Sequence, residues 1–529
     1  MNSIKVLDVT LRDGGCVNNF NFGQDYMQKI LSAQELSGVD IIELGYIDEK
    51  NGTTQGRSQW ADVPSISNSL LKHKKSGVTY VAMMDYGKYN VDNIPPRLDS
   101  YIDGIRVAFH KKDRTKIVEI GEKIKDKGYE LFIQPMITLR YTDVELLELI
   151  DLINTKLSFA KGFYIVDSFG EMRPNDMSRV LNIVDHNLNP NILLGYHSHN
   201  NLQMSYSNAC SMLQFPTNRD IIIDCSIMGM GKGAGNLNTE LLMEHLNLYY
   251  GKKYKISPLL EVIDKVINQI HSENYWGYSP EFYLSSANHC TPSYAAHFYN
   301  KHMLPIDQVS ELLSLIDEDK KISFDKNYAE DLYRSYNENK SVDDKEVVEE
   351  LKGIIHGNQA IIVAPGKSIN ENRDKINSFL KRKDIISFGL NVSESWDTDF
   401  IVATRQDSFE DVLLSGRNII TTSNISKGTR GNIKILDYKK WIEVRGDKTF
   451  DSSAVIVLNL LKYCEVTHIY IAGMDGFSTN INENYADPSL RRPVTEEQAV
   501  LRNDFYKTFI SDMIQNGVVV EFITPSKYQ

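Results

Sequence analysis

The sequence predicts an α/β protein: an amino-terminal (β/α)8 barrel, a helical segment after it, and a second, Rossmann-like α/β domain. Three observations carry that expectation. Eight short β-rich runs alternate with longer amphipathic stretches over the first ~250 residues, the length and count of a closed barrel. Helical periodicity then takes over, and beyond residue 358 the strand–helix rhythm resumes.

The eight barrel runs are "IKVLDVTL", "VDIIELGYI", "VTYVAMMD", "DGIRVAF", "ELFIQPMI", "GFYIVDSF", "NILLGYHSH" and "DIIIDCSIMG". Each is short and rich in β-branched or aromatic residues, as strands are. Between them "GQDYMQKILSAQELSG" carries Tyr26, Ile30, Ala33, Leu36 and Ser37 at helical spacing, and "TDVELLELIDLINTK" reads likewise. An open doubly wound sheet shows the same alternation, but the count of eight favours the barrel. The expected barrel domain is 1–254. Residues 255–345 form the helical segment, with "PLLEVIDKVINQI" and "DQVSELLSLID" as its clearest helices. The charged run "YNENKSVDDKEVVEELKG" reads as an exposed helix or linker, and the boundary is set at 346–357. The second domain, 358–529, offers "AIIVA", "IISFGL", "DFIVAT", "NIITTS", "HIYIAG" and "VVVEFIT" as strands.

Composition excludes several classes. The chain has 529 residues and a net charge of −12, which lacks the basic footprint of a nucleic-acid binder. The cysteines, Cys16, Cys210, Cys225, Cys290 and Cys464, are odd in number and scattered, so neither a disulfide framework nor a zinc knuckle is expected. No apolar run is long enough to span a bilayer, and "MNSIKVLDVT" starts directly on a strand rather than a secretion signal. The expected setting is the cytoplasm.

In a barrel, chemistry sits at the carboxyl ends of the strands. There the sequence puts Arg12 and Asp13 on the first strand, and Glu43 and Tyr46 on the second. Arg106 and His110 follow on the fourth, Gln134 on the fifth, and Asp167 and Ser168 on the sixth. The seventh ends in "GYHSHNN", and residues two apart on a strand share a face. His197 and His199 therefore both face the barrel mouth, where two imidazoles and the Asp13 carboxylate make a divalent-metal site. His-x-His alone is equally satisfied by two hydrogen-bonding histidines.

"DVTLRDGG" (8–15), "GYHSHNN" (195–201) and "GMGKGAGN" (229–236) together resemble the signatures of the DRE-TIM metallolyases, in the same order and on the expected strands. That family includes 4-hydroxy-2-oxovalerate aldolase, hydroxymethylglutaryl-CoA lyase and isopropylmalate synthase, and "TLRDGG" looks most similar to the pyruvate-releasing aldolases. The resemblance implies that Asp13, His197 and His199, with Asn236 as a further candidate, bind Mn2+ or Mg2+. It implies that Arg12 stabilises the enolate oxygen of a pyruvate-like intermediate, and that a 2-oxo acid and an aldehyde are joined or split. Charge developing on that oxygen is what a cation and a guanidinium would offset. Glu43, Tyr46, Arg106, Gln134, Asp167, Ser168, His289 and Tyr294 are the candidate substrate contacts, the last two within "WGYSPEFYLSSANHCTPSY" (276–294), which is similar to the aldolases' post-barrel segment. One position departs: Cys16 stands where the aldolases carry a basic histidine, and a thiol is a poor replacement. The base is then sought among His110, Tyr46, His289 and a metal-bound water, with His110 the candidate carried forward.

In the second domain "AIIVAPGKSI" (360–369), "FGLNVS", "FDSSAVIVLNLLKY" and "THIYIAGMDGFS" resemble the nucleotide-binding core of family 42 bacterial sialyltransferases. By that resemblance Gly366, Ser368, Asn391 and Ser453 line a pocket for CMP or a nucleotide sugar, with Asp475 at its edge. No histidine follows His468, which departs from the transferase pattern. The combined expectation is a metal-dependent aldolase fused to a nucleotide-binding domain, acting as a homodimer in the synthesis of a surface-polysaccharide sugar. The alternatives are an acyl-CoA-dependent Claisen synthase or lyase, and a non-catalytic barrel joined to a nucleotide sensor.

Overall fold

The computed structural model describes residues 3–50, 52–71, 74–301, 304–391, 396–426, 431–446, 448–491 and 494–529. The chain divides into two compact units, Met1–Pro292 and Ser293–Gln529.

The first unit holds eight strands: β1 (Ile4–Asp8), β2 (Ile41–Ile47), β3 (Thr79–Asp85), β4 (Gly104–Phe109), β5 (Glu130–Pro135), β6 (Gly162–Asp167), β7 (Leu193–Ser198) and β8 (Ile221–Cys225). All neighbours pair in parallel, and β1 pairs with both β2 and β8, so the sheet closes into a barrel. A two-residue strand, Gln59–Trp60, adds to β2 outside the ring. These runs are almost continuously apolar because both faces are covered. Val6, Ile42, Ile105 and Ile133 pack outward in the larger core. Leu7, Ile41, Val81, Phe132, Tyr164, Leu193 and Ile222 fill the barrel interior.

That interior layer sets the parity of everything above it. Two residues beyond Ile41, Phe132 and Ile222 stand Glu43, Gln134 and Asp224, and four beyond Leu193 stands His197. Side-chain alternation turns all four toward the barrel axis, nearer the carboxyl end. Gly195, between Leu193 and His197, is required for close approach: a Cβ there would lie 2.4 Å from the Tyr164 ring. The space it leaves lets that ring lie under the Arg106 guanidinium, 4.8 Å away.

The helices follow their sequence signals. Helix Gln24–Ser37 buries Met27, Ile30, Leu31, Ala33 and Ser37, but Leu36, expected on that face, is 56 % exposed. It stops at Gly38, whose φ of +82° is the left-handed cap that glycine adopts without strain. Helix Asp143–Lys156 opens on a reciprocal Thr142–Glu145 capping box, a feature that contributes about 1 kcal/mol.

Three expectations change. The first strand ends at Asp8 rather than Leu11, because the N–H groups of Arg12 and Asp13 fold back onto the Val9 carbonyl. The helical segment 255–345 divides between the two units. Its first part is tied to the barrel by Trp276 Nε1 donating to the Met228 carbonyl and Ser286 Oγ to the Phe169 carbonyl. The stretch 346–357 lies mostly in a helix, Lys345–Ile355, that buries Val348, Leu351 and Ile355 in the core of the second unit. Its apolar spacing, masked by surrounding charge, outweighs its linker-like composition.

The second unit carries a parallel sheet of β9 (Gln359–Val363), β10 (Ile385–Leu390), β11 (Phe400–Val402), β12 (Ile419–Thr422), β13 (Ile433–Leu436), β14 (His468–Ala472) and β15 (Val519–Phe522). The order is β13-β12-β11-β10-β9-β14-β15. The short β13 was not anticipated, nor was the antiparallel pair Glu443–Arg445 and Lys448–Phe450. Among the described residues no helix is long and apolar enough to cross a membrane.

Adding one methyl group at Gly195 overpacks the barrel interior. Gly195→Ala is expected to cost roughly 1–3 kcal/mol, measured as a lower denaturant midpoint for the barrel's unfolding.

Candidate metal centre

At the carboxyl end of the barrel Asp13, His197 and His199 converge, each more than nine-tenths buried. One ligand atom from each lies within 4.8 Å of the others. Asp13 Oδ2 is 3.5 Å from His197 Nε2 and 3.7 Å from His199 Nε2. Ligand atoms about 2.1 Å from a shared ion are separated by roughly 3–4 Å, so the spacing suits a divalent cation. The two imidazoles stand edge to face, with planes at 89°.

Both rings are held by their other nitrogen. His197 Nδ1 donates to Asp224 Oδ2 at 3.0 Å and His199 Nδ1 to the Lys232 carbonyl at 3.0 Å. These acceptors fix the tautomer that leaves each Nε2 lone pair turned toward Asp13, the arrangement that metal-ligating histidines use. Burial lowers His199 to about 4, so it is neutral at pH 7 and ready to ligate. Burial also opposes charge on His197, but hydrogen bonds to Asp13 and Asp224 outweigh it and raise that imidazole. Burial disfavours the Asp13 carboxylate as well, yet His199, Arg12 and His197 hold it well below the usual range, as an anion.

Asn236 reaches the centre through an isolated antiparallel bridge with His199. Its Nδ2 donates to the Met230 carbonyl, and its Oδ1 is buried with no hydrogen-bond partner among the described residues. That orphaned oxygen fits a further ligand. The glycine run lets the chain pass: a Cβ at Gly231 would meet Asn236 Nδ2 at 2.2 Å and Asp13 Oδ1 at 3.0 Å.

Beneath the three ligands lies a buried ionic lattice. Arg12 Nη1 donates to Asp13 Oδ2 at 2.6 Å and its Nε to Glu43 Oε2 at 2.7 Å, while Nη2 has no partner among the described residues. Arg106, fully buried, pairs with Asp224 and stands 3.0 Å from Glu43 Oε2. With its amide oxygen turned inward, Gln134 accepts from Arg106 Nη2 at 3.0 Å. Glu43, Arg106 and Gln134, expected as substrate contacts, are thus committed to one another and to the ligand set, because a buried guanidinium draws every nearby acceptor to itself. Asp224 was not anticipated. A lone carboxylate in the apolar run "DIIID" was its signal.

The remaining expected residues divide. Asp167 accepts from the N–H groups of Glu171 and Met172 and is pushed up by burial to about 7. Ser168 Oγ accepts from the Ile137 N–H at 3.1 Å. Tyr46 stacks on Phe20, its ring centroid 6.2 Å away, and burial, then Asp85, push its hydroxyl up. His110 follows β4, and burial lowers it despite nearby Asp85. Cys16 is exposed by surface area yet closely surrounded, and that environment with Asp13 pushes its thiol up to about 12. His289 bonds the otherwise missed Glu171 at 2.7 Å and its carbonyl accepts from Arg140. Tyr294 belongs to the second unit, where it is fully buried against Phe298 and Phe324. Its aromatic neighbours there supply the packing that the sequence shows only as composition.

In the second unit Gly366 and Ser368 follow β9, Asn391 follows β10, and Ser453 starts helix Ser453–Tyr463. Gly366 N–H donates to the Gly473 carbonyl. The Ser368 N–H and hydroxyl both bond the Asp475 carboxylate. The turn expected to cradle phosphate is thus already occupied by a carboxylate of the same chain.

Residues 105–266 match the HMGL-like family. The chain is 26 % identical over 258 residues to a 4-hydroxy-2-oxovalerate aldolase from Pseudoalteromonas translucida (strain TAC 125), covering 48 % of this chain and 74 % of that protein. It is 25 % identical over 244 residues to an oxaloacetate decarboxylase from Mycobacterium tuberculosis (strain ATCC 25618 / H37Rv), covering 46 % and 69 %. A crystal structure of hydroxymethylglutaryl-CoA lyase from Pseudomonas aeruginosa aligns at 15 % identity with a TM-score of 0.42, covering 51 % and 93 %. Residues 105–266 are thus similar to the HMGL-like family, and the barrel is similar to an aldolase and to a decarboxylase.

Two outcomes are expected. Asp224→Ala removes the acceptor that fixes His197, and manganese affinity measured calorimetrically is expected to fall about 10–100-fold. The second concerns Asp167, whose folded value near 7 exceeds that of an unfolded carboxyl. Between about pH 4 and 7 the folded chain keeps a proton there that the unfolded chain loses, so stability declines as pH rises, by about 1.4 kcal/mol per pH unit at most. Denaturation curves of Asp167→Asn across that window lack this component of the slope.

Proposed function

We propose that the barrel is a divalent-metal-dependent lyase that forms or cleaves the carbon–carbon bond between a 2-oxo acid and an aldehyde. The observation that carries this is the buried Asp13–His197–His199 triad, with both imidazole Nε2 atoms turned inward and Arg12 Nη2 unpartnered among the described residues. The likeness to aldolases and to an oxaloacetate decarboxylase supports it. Asp13, His197 and His199 would hold Mn2+ or Mg2+, with Asn236 Oδ1 available as a further oxygen ligand. When bound, such an ion supplies Lewis-acid polarisation of a carbonyl.

The chain's own residues perform the rest. Arg12 is oriented by Glu43 and Asp13, so its free Nη2–H is fixed in direction before substrate arrives. Such a preorganised donor stabilises negative charge that develops on a carbonyl oxygen. Arg106 and Asp224 hold Glu43 and His197 in place from below. Proton transfer falls to His110, which burial keeps neutral at pH 7 and therefore able to accept a proton at a ring nitrogen. Cys16, held protonated, does not serve as the base.

The test is 2-oxo acid release or consumption with manganese across a series of aldehydes. Arg12→Lys and Asp13→Asn are each expected to lower kcat by about 10²-fold or more. His110→Asn is expected to lower it about 10²–10⁴-fold, and Cys16→Ala to leave it within about threefold. Full activity in Asp13→Asn would sink the proposal.

A further inference from the structure

The sheet of the second unit has a reversal built into it. From β9 the chain steps outward through β10, β11, β12 and β13, then returns through helix Ser453–Tyr463 to β14 on the other side of β9. In open parallel sheets, ligands bind beyond the carboxyl ends of the strands near such reversals.

Unpaired polar atoms collect on that edge. Asn424, just past β12, is 1 % exposed, and neither its Oδ1 nor its Nδ2 has a partner among the described residues. Thr422, the last residue of β12, is equally buried, and its Oγ1 is likewise unpaired. Asn391 Oδ1, past β10, is a third such group. Val402 pairs with Ile420, and continuing that register sets Thr404 beside Thr422 on one face. The Thr404 hydroxyl meets that of Ser453 at 2.8 Å, so the amino end of helix Ser453–Tyr463 closes the same face. Deeper in the sheet such groups are satisfied, as Thr421 Oγ1 is by the Ala403 carbonyl at 2.7 Å. A buried polar group without a partner costs about 1–3 kcal/mol, and folded proteins rarely keep several together.

The chemistry of these atoms limits the ligand. All are neutral amides or hydroxyls. The charged groups nearby are already engaged: Arg405 with Asp407, Asp451 with the Tyr438 hydroxyl, and Asp475 with Ser368. Among the described residues, this set leaves no free cation for a phosphate. An asparagine with both ends open presents a donor and an acceptor side by side. That pair complements a nucleobase edge, as asparagine does with adenine, or the vicinal hydroxyls of a sugar.

We propose that the carboxyl edge of β11 and β12, with Asn424 and Thr422 as its recognition groups, binds an uncharged ring bearing an adjacent hydrogen-bond donor and acceptor. This site is independent of the metal centre and of the reaction proposed for the barrel.

The experiment uses the full chain and calorimetry in two arms, one of nucleosides (uridine, cytidine, adenosine, guanosine) and one of neutral sugars (glucose, galactose, mannose, N-acetylglucosamine). Saturable binding in one arm identifies the source. Asn424→Ala and Thr422→Val should each weaken it by about tenfold, with manganese binding at the barrel unchanged. Thr422→Val supplies the second reading. If its hydroxyl is kept for a ligand, removing it leaves thermal stability equal or higher while binding falls. No binding in either arm up to ~10 mM, undiminished binding in both variants, or lost stability in Thr422→Val would each overturn the proposal.

Discussion

A guanidinium sealed from water must be matched by carboxylates, and Arg106 is the constraint around which the barrel mouth is arranged. It is fully buried and meets Asp224 on one side and Glu43 on the other. Breaking such a buried pair typically costs 3–5 kcal/mol, because the surviving charge is left without water or partner. Each carboxylate then has a second duty. Glu43 orients Arg12, and Asp224 orients His197. The geometry of the candidate ligands is therefore set by this lattice. Tyr164 beneath Arg106 and Gly195 beside Tyr164 extend that dependence into the apolar interior.

The formal charges of the lattice suit its proposed occupant. Asp13, Glu43 and Asp224 bring three negative charges, and Arg12 and Arg106 bring two positive ones, with His197 and His199 counted as neutral. A divalent ion turns that small negative balance into a small positive one. On the proposed function, that balance would favour an anionic 2-oxo acid once the metal is in place.

Much of this was legible in the sequence, and the rest had a physical reason to hide. The strands showed because parallel strands covered on both faces must be apolar throughout. The ligands showed because His197 lies in β7 with His199 just past its end, and Asp13 follows β1 closely. What lay beneath them depends on register between distant strands. Asp224 meets Arg106 across the barrel axis, a contact between residues 118 apart in the chain that no local pattern announces. For the same reason the mutual pairing of Glu43, Arg106 and Gln134, expected as substrate contacts, is invisible in the sequence. In the second unit, Asp475 capturing Ser368 turned an apparent phosphate cradle into an internal contact. Helix Lys345–Ile355 reads in the sequence as an exposed helix or linker because its three buried residues are outnumbered by charge.

Barrel closure has a kinetic meaning. Asp13 follows β1, whereas His197 and His199 belong to the far end of the ring, and β1 meets β8 only when the circle is complete. Contacts so far apart in the chain form late, since loop-closure entropy must be overcome first. Closure of the ring is what brings Asp13 to the two histidines. On the proposed function, a metal ion would act as a latch on the finished barrel, binding the closed ring in preference to an open one.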